Sequence, residues 1–269
     1  MPVFYDTHAH LGFPDFADDL PEVIARATAA GIARIITVGT DLENSALAIR
    51  IAEQFPNVFA VVGWHPTHVL EAPLDIRAAL RELAVHPKVV AIGETGLDYH
   101  EKSADAKSPA ELEHYKSRQA DIFRQQMEVA AELGLNCVVH QRAALDDTLA
   151  LMQPFAGKTR GVFHCFSESP EGLRRVLEMG SMVSFTGIIT FKNGQNARDA
   201  LDAAPMGRFM FETDCPFLAP VPFRGKRCES AYIGEISRVA AGVKNCSLEE
   251  LSAASLAAAR DFFPKLGGT

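Results

Sequence analysis

Five of the nine histidines in this chain, His8, His10, His65, His140 and His164, stand at or just beyond the ends of short apolar runs. Two carboxylates, Glu94 and Asp214, occupy the same kind of position, in Gly93-Glu94-Thr95-Gly96 and Glu212-Thr213-Asp214. The spacing His8-Ala9-His10 has a geometric meaning. Side chains at i and i+2 of an extended strand face one way, so both imidazoles can grip one cation. His140 and His164 can supply a second pair from adjacent strands, and Glu94 and Asp214 add hard oxygen donors. Four histidines and two carboxylates suffice for two divalent ions with one carboxylate bridging. Such mixed ligation suits zinc, manganese or cobalt, and magnesium less comfortably. A lone His-x-His is a weak signal; the weight lies in the joint occurrence.

Neighbouring residues read more plainly. Cys165 and Cys215 adjoin the candidate ligands, but strand neighbours point to opposite sides, and small buried cysteines are common packing residues. His68, His86, His100 and His114 lie in loops or helices and read as surface. Trp64 and Phe217 suit either the mouth of a site or its packing.

The elements that must position these groups form a regular series. Short runs rich in Val, Ile and Phe cover residues 3–6, 34–38, 58–62, 89–92, 135–139, 161–163, 182–185 and 209–211. They have the near-continuous apolar character of parallel strands buried on both faces. Helical composition fills 20–30, 45–54, 75–85, 112–133, 145–152, 170–179, 195–203 and 233–241, and a last amphipathic stretch, 248–263, follows Ser247. Gly31, Gly134 and Gly180 stand where left-handed helix stops are needed. Residues 99–109 are polar and read as an exposed loop over the strand ends. Eight strands alternating with helices predict an α/β fold, a single (β/α)8 TIM barrel over residues 1–269. Periodicity alone does not separate it from an open doubly wound sheet. In a barrel, all the strand ends named above converge on one face.

Composition limits the classes. The chain has 269 residues, 26 Lys+Arg against 34 Asp+Glu, and a net charge of −8. With 48% hydrophobic residues it is not a disordered chain. The acidic balance argues against coating nucleic acid by bulk charge. Five widely spaced cysteines without a C-x-x-C pair argue against a disulfide scaffold. Asp6, His8 and His10 fall where a signal peptide needs an apolar core, and no apolar run is long enough for a membrane span. The expectation is a soluble, cytoplasmic protein with no membrane association and no obligate protein partner.

At this point the motifs resemble a known family, the TatD-type metal-dependent hydrolases, also called TatD DNases. The similar segments are Asp6-Thr7-His8-Ala9-His10-Leu11, Gly63-Trp64-His65-Pro66, Ile92-Gly93-Glu94-Thr95-Gly96-Leu97-Asp98-Tyr99 and His140-Gln141-Arg142. They continue as His164-Cys165-Phe166-Ser167, Gly187-Ile188-Ile189-Thr190-Phe191-Lys192, Glu212-Thr213-Asp214-Cys215-Pro216 and Arg224-Gly225-Lys226-Arg227. They run in family order across nearly the whole chain. The resemblance implies a TIM barrel of the amidohydrolase-like superfamily. It implies ligands His8, His10, Glu94, His140, His164 and Asp214 for two divalent ions (Mg2+, Mn2+ or Zn2+), with Glu94 bridging. Cys228 and Ser230 depart from the Asn and Pro common in the family.

The implied chemistry is hydrolysis in which the ions lower the pKa of water toward neutrality, with Asp214 orienting that water and accepting its proton. Arg224, Lys226 and Arg227 follow the last strand, where barrels often bind phosphate. Arg142 can clamp a phosphate oxygen, and His65 and Tyr99 can position the phosphate or leaving group. The leading expectation is a 3′→5′ deoxyribonuclease acting on DNA ends or single strands. A metal-dependent esterase or deacylase, acting on a small ester, lactone or aminoacyl-tRNA, is the alternative. A non-catalytic metal-binding scaffold is the weakest reading, since none of the six ligands is lost.

Overall fold

In the computed structural model, which describes residues 2–100 and 108–267, the apolar runs become eight parallel strands that neighbour one another in chain order. They are β1 (Phe4–Ala9), β2 (Ile32–Val38), β3 (Val58–Val62), β4 (Val89–Asp98), β5 (Asn136–Arg142), β6 (Gly161–Phe163), β7 (Met182–Phe185) and β8 (Phe209–Phe211). Helices α1 (Leu20–Ala29), α2 (Leu42–Gln54), α3 (Arg77–Ala84), α4 (Pro109–Leu133), α5 (Leu145–Met152), α6 (Pro170–Glu178), α7 (Gln195–Ala203) and α8 (Ile233–Lys244) connect and cover them, and α9 (Leu248–Phe262) follows. Closure is what the periodicity left open. Beyond the end of β8, Cys215 makes a parallel bridge to Ala9 of β1. The Asp214 N–H donates to the His8 carbonyl at 2.9 Å and the His10 N–H to the Cys215 carbonyl at 2.8 Å. Thr7 Oγ1 donates to the Phe211 carbonyl at 3.1 Å. The sheet therefore curls into a barrel whose seam lies between candidate ligands.

Two apolar layers hold it. The outer one fills the space between strands and helices. The inner one includes Tyr5, Ile36, Val38, Phe59, Val61, Val90, Ala91, Val138, Val162, Met182 and Met210 of the strands. Ala258, Ala259, Phe262, Phe263 and Leu266 belong to the same inner cluster. The α9 region thus plugs the barrel at its N-terminal end. Asn136 at the start of β5 donates to the Phe262 carbonyl at 2.6 Å, and Arg160 just before β6 reaches Asp261 at 2.8 Å. The opposite end is left for polar groups.

The helices begin where side chains satisfy their free N–H groups. Asp41 accepts from Asn44 N, Ser108 from Glu111 N and Ser169 from Gly172 N, while Ser247 and Glu250 form a capping box. Gly31, Gly134 and Gly180 all have positive φ, as the stop positions require.

Several strands outrun their apolar cores. The hydrophobic run behind β4 stops at Ile92, yet its ladder to β5 continues through Gly96 opposite His140 and Asp98 opposite Arg142. Backbone pairing is indifferent to side-chain polarity, so polar ligand segments remain strand. Gly96 is needed there: its φ is +135°, and a Cβ would fall 2.0 Å from the His140 carbonyl oxygen. Of the loop expected over 99–109, residues 101–107 lie outside the described residues, and Pro109 already opens α4.

The plug makes a prediction. Phe262→Ala removes a fully buried ring from the N-terminal end of the barrel. It should lower unfolding stability by about 3–5 kcal/mol, read from urea denaturation with the native circular dichroism retained. A change under about 1 kcal/mol would contradict a packed plug.

Candidate metal centre

Two irregularities in the sheet aim the candidate ligands. In β1, Asp6 pairs with Ile35 and Ala9 with Thr37, three steps against two. In β4, Ile92 pairs with Cys137 and Thr95 with Val139, again three against two. Each extra residue bulges its strand at the point where His8 or Glu94 emerges, and bulges re-aim side chains at such sites. Asp214 sits beyond β8 with φ 58°, a left-handed conformation that Asp tolerates better than most residues.

The six candidate ligands meet at the C-terminal end of the barrel. His8 Nε2 and His10 Nε2 are 3.2 Å apart. Glu94 Oε2 lies 3.3 Å from the first and 3.6 Å from the second. Asp214 Oδ1 is 3.6 Å and 3.4 Å from the same two nitrogens. The other carboxylate oxygen, Glu94 Oε1, lies 2.8 Å from His164 Nε2, 2.9 Å from His140 Nδ1 and 3.2 Å from His65 Nε2. The His8 and His164 rings stack at 4.2 Å, so the two groups of donors are contiguous. Among the described residues, His8/His10/Glu94, His8/His164/Asp214 and His65/Glu94/His140 each bring their donor atoms within 4.8 Å of one another. Imidazole nitrogens and carboxylate oxygens packed this closely, nearly out of water, fit divalent cations. His65 stands against the second group directly, with Nε2 3.2 Å from Glu94 Oε1 and 3.3 Å from His140 Nδ1.

Behind these atoms stand partners that orient them. Asp98, buried at the end of β4, places Oδ2 2.9 Å from His140 Nε2, which leaves Nδ1 toward Glu94. Its backbone is held in turn by the buried Gln119 of α4, through Asp98 N–H to Oε1 at 2.8 Å and Nε2 to the Asp98 carbonyl at 2.9 Å. Gln126, on the same helix, makes the same pair of bonds to Trp64. Trp64 is itself buried and donates from Nε1 to the His68 carbonyl, so it packs rather than lines the mouth. His10 Nδ1 is 3.2 Å from the Val38 carbonyl. Glu212 accepts from Cys165 N–H and lies 3.6 Å from His164 Nδ1. Asp6 accepts from Thr213 N–H at 2.9 Å and Thr213 Oγ1 at 2.6 Å, tying the His-x-His strand to the Asp214 strand. Sequence reasoning assigned no role to Asp98, Glu212 or Asp6. The one available signal was their place inside the same motifs as the ligands. Ser230 also bonds Asp6, and Cys228 is buried. These two departures from the family pattern therefore support the seam between β1 and β8.

Charge is finely opposed here. Burial would raise the Glu94 carboxyl, but His164, His65 and His8 around it outweigh that and hold it well below its ordinary range. Burial would lower the His164 imidazole, but Glu94 and Glu212 hold it well above its ordinary value. His140 is also raised against its burial, through Asp98 and Glu94. His65 goes the other way: burial pushes it down to about 4 despite Glu94. Asp6 is pushed up by burial to about 7, against the hydrogen bonds from Ser230 and Thr213. Burial likewise raises the Cys215 thiol, in keeping with a packing role.

The residues expected to meet substrate are arranged less uniformly. Arg142, Arg224 and Lys226 are exposed. The Arg224 guanidinium lies 3.8 Å above the Phe191 ring. The Tyr99 hydroxyl donates to Asp147 at 2.9 Å, and Lys116 lies 4.4 Å from its ring. Arg227 does not stand free: it forks onto Asp19 at 2.7 and 2.8 Å and reaches Glu229 at 3.2 Å. An exposed-sounding basic loop thus spends one of its cations on structure, a choice invisible until the partners come together.

The family model described as TatD related DNase matches residues 5–264. A Bacillus subtilis (strain 168) protein described as uncharacterized metal-dependent hydrolase YabD is 37% identical over 262 residues, covering 97% of this chain and 99% of its own. A Citrobacter rodentium (strain ICC168) protein described as 3'-5' ssDNA/RNA exonuclease TatD is 33% identical over 265 residues, covering 96% of this chain and 97% of its own. The crystal structure of YjjV, a TatD homolog from Escherichia coli K12, has a TM-score of 0.87 at 26% identity, covering 97% of this chain and 98% of that one.

Two predictions follow from the donors and their partners. Asp98→Ala should weaken divalent-ion binding about 10- to 100-fold, measured by competition with a chelator, because His140 loses the group that orients it. Unchanged affinity would remove that role. Ion binding should also strengthen as pH rises from about 6 to 8, and calorimetry in buffers of different ionisation enthalpy should show proton release. The reason is that raised imidazoles such as His140 and His164 hold protons a cation must displace. In the ion-free protein the sign is opposite. The stability contributed by those raised imidazoles is full below about 6.5 and is lost as pH climbs through their higher folded values.

Proposed function

This chain belongs to the TatD-related DNase family of metal-dependent hydrolases, and from that premise we propose that it cleaves phosphodiester bonds at DNA ends or in single strands, working 3′→5′. The observation that carries the reading is the division of Glu94, Oε2 toward His8 and His10 and Oε1 toward His140 and His164. One bridging carboxylate between two imidazole pairs suits hydrolysis assisted by two ions. In this reading His8, His10, Glu94 and Asp214 would hold one divalent ion, and Glu94, His140 and His164 would hold the other. Bound there, the ions supply Lewis-acid stabilisation of phosphoryl oxygens and a supply of hydroxide near neutral pH.

The chain's own groups do the rest. The Asp214 side chain is 14% exposed against 2% for Glu94, so it is the acid that water can reach. Burial raises it, but His10 and His8 together hold its carboxyl below the ordinary value, which keeps it ionised. It orients the attacking water and accepts its proton. His65, neutral near pH 7, hydrogen-bonds a phosphoryl oxygen beside the second group. Arg142, Arg224 and Lys226 offer cations to phosphates farther along the strand. Tyr99 forms a wall of the site with its hydroxyl committed to Asp147. Arg227 serves by holding its loop. The relative named as a 3'-5' ssDNA/RNA exonuclease supports a nucleic-acid substrate. Five free cysteines and the lack, among the described residues, of a helix long and apolar enough to cross a membrane support a cytoplasmic site of action.

End-labelled single- and double-stranded oligonucleotides, assayed with Mg2+, Mn2+ or Zn2+ and again with chelator, test the reading. Glu94→Ala and Asp214→Ala should each cost about a thousandfold in rate, the several kcal/mol that charge stabilisation by bound ions is worth. Full activity in both variants, or hydrolysis of small esters with oligonucleotides left intact, would overturn the nuclease assignment.

A further inference from the structure

Beside the His10 imidazole stand two phenyl rings from opposite ends of the chain. The Phe13 ring stacks on His10, with centroids 4.7 Å apart and planes 22° apart. Phe217 meets His10 at 6.3 Å and Phe13 at 5.9 Å, with its plane 80° from that of Phe13. Phe217 is 50% exposed, and it is the aromatic member of the exposed large apolar side chains among the described residues. The two rings make an open right-angled corner against a candidate ligand.

Both loops that carry these rings are pinned. Phe13 lies between β1 and α1, and Phe217 between β8 and α8. Arg227, from the second loop, donates to the Asp15 carbonyl at 2.6 Å and forks onto Asp19 in the first. Its guanidinium lies 4.9 Å from the ring of the buried Phe16. Arg26 of α1 returns the link by bonding Glu229 at 2.8 and 2.9 Å and Asp19 at 3.1 Å. Forked Arg–carboxylate pairs fix orientation as well as distance. Between loops tied in this way, the Phe217 ring leaves about half of its surface open to solvent beside a candidate ligand.

We infer that Phe13 and Phe217 form a stacking subsite for the nucleobase next to the scissile phosphodiester. The inference rests on the nuclease reading and adds what it lacks, a way to recognise the nucleoside as well as the phosphate. The corner accepts any planar base, because every base has a π face, so it confers preference for unstacked ends without sequence preference. A base still stacked within a duplex cannot enter it, which favours single strands.

The test compares an oligonucleotide ending in an ordinary 3′ nucleotide with the same strand ending in an abasic one, using the ion-loaded enzyme. Wild type should prefer the base-bearing end. Phe217→Ala and Phe13→Ala should each raise KM for it about 5- to 100-fold, the range that base–aromatic stacking supports. Their preference over the abasic strand should collapse toward unity, and Phe217→Trp should restore it. Equal losses on both strands, or a fall confined to kcat, would overturn the subsite while leaving the nuclease reading intact. A wild-type enzyme that cleaves esters but neither strand would overturn the nuclease reading, and the subsite with it.

Discussion

Glu94 carries a negative charge on a side chain that is 2% exposed. Taking such a group out of water is costly unless opposite charge and hydrogen bonds replace the lost solvent. Here the replacement comes from imidazoles on β1 and the residue after it, on β5, on the residue after β6 and on the turn after β3, disposed around both carboxylate oxygens. Each of those residues must therefore be held in place from outside. The bulges in β1 and β4, the close backbone approach at Gly96 and the closure of β8 on β1 all serve that requirement.

The holding groups are themselves polar and buried. Asp98 orients His140, Asp6 joins the first strand to the last, and Gln119 fastens the backbone of Asp98 from the outer helix. A network of this kind is rigid only when each member is satisfied. The barrel makes that possible by dividing its two ends. Phe262, Phe263 and Leu266 fill the N-terminal end with apolar packing. The C-terminal end is free to hold charge, which is why the fold can carry a site so poorly suited to burial.

A net charge of −8 is unhelpful for binding a polyanion. Glu94 and Asp214 face inward, toward imidazoles, so they count less against an incoming anion than exposed acids do. Of the three basic residues in the loop between β8 and α8, Arg227 answers Asp19 and Glu229, while Arg224 and Lys226 remain exposed. Under the proposed nuclease function, attraction for a nucleic-acid strand would be local and sensitive to salt.

The succession of strands, their alternation with helices, the capped last helix and the positions of His8, His10, Glu94, His140, His164 and Asp214 at strand ends were legible in the residues alone. They depend on short-range properties: apolar runs, capping side chains, and the two-residue repeat that turns His8 and His10 to one side. Strand ends were misjudged where polar ligands continue a ladder, as in β4 beyond Ile92, because hydrogen bonding between backbones leaves no trace in hydropathy. The partners lay beyond reach for a related reason. That Asp98 meets His140, that Arg227 bonds Asp19 across 208 positions, and that Phe13 and Phe217 share a corner are contacts between distant segments. Single-chain patterns encode which faces are buried. Only closure of the barrel decides which buried groups face one another, because it brings the first and last strands together at the seam where the charges must be matched.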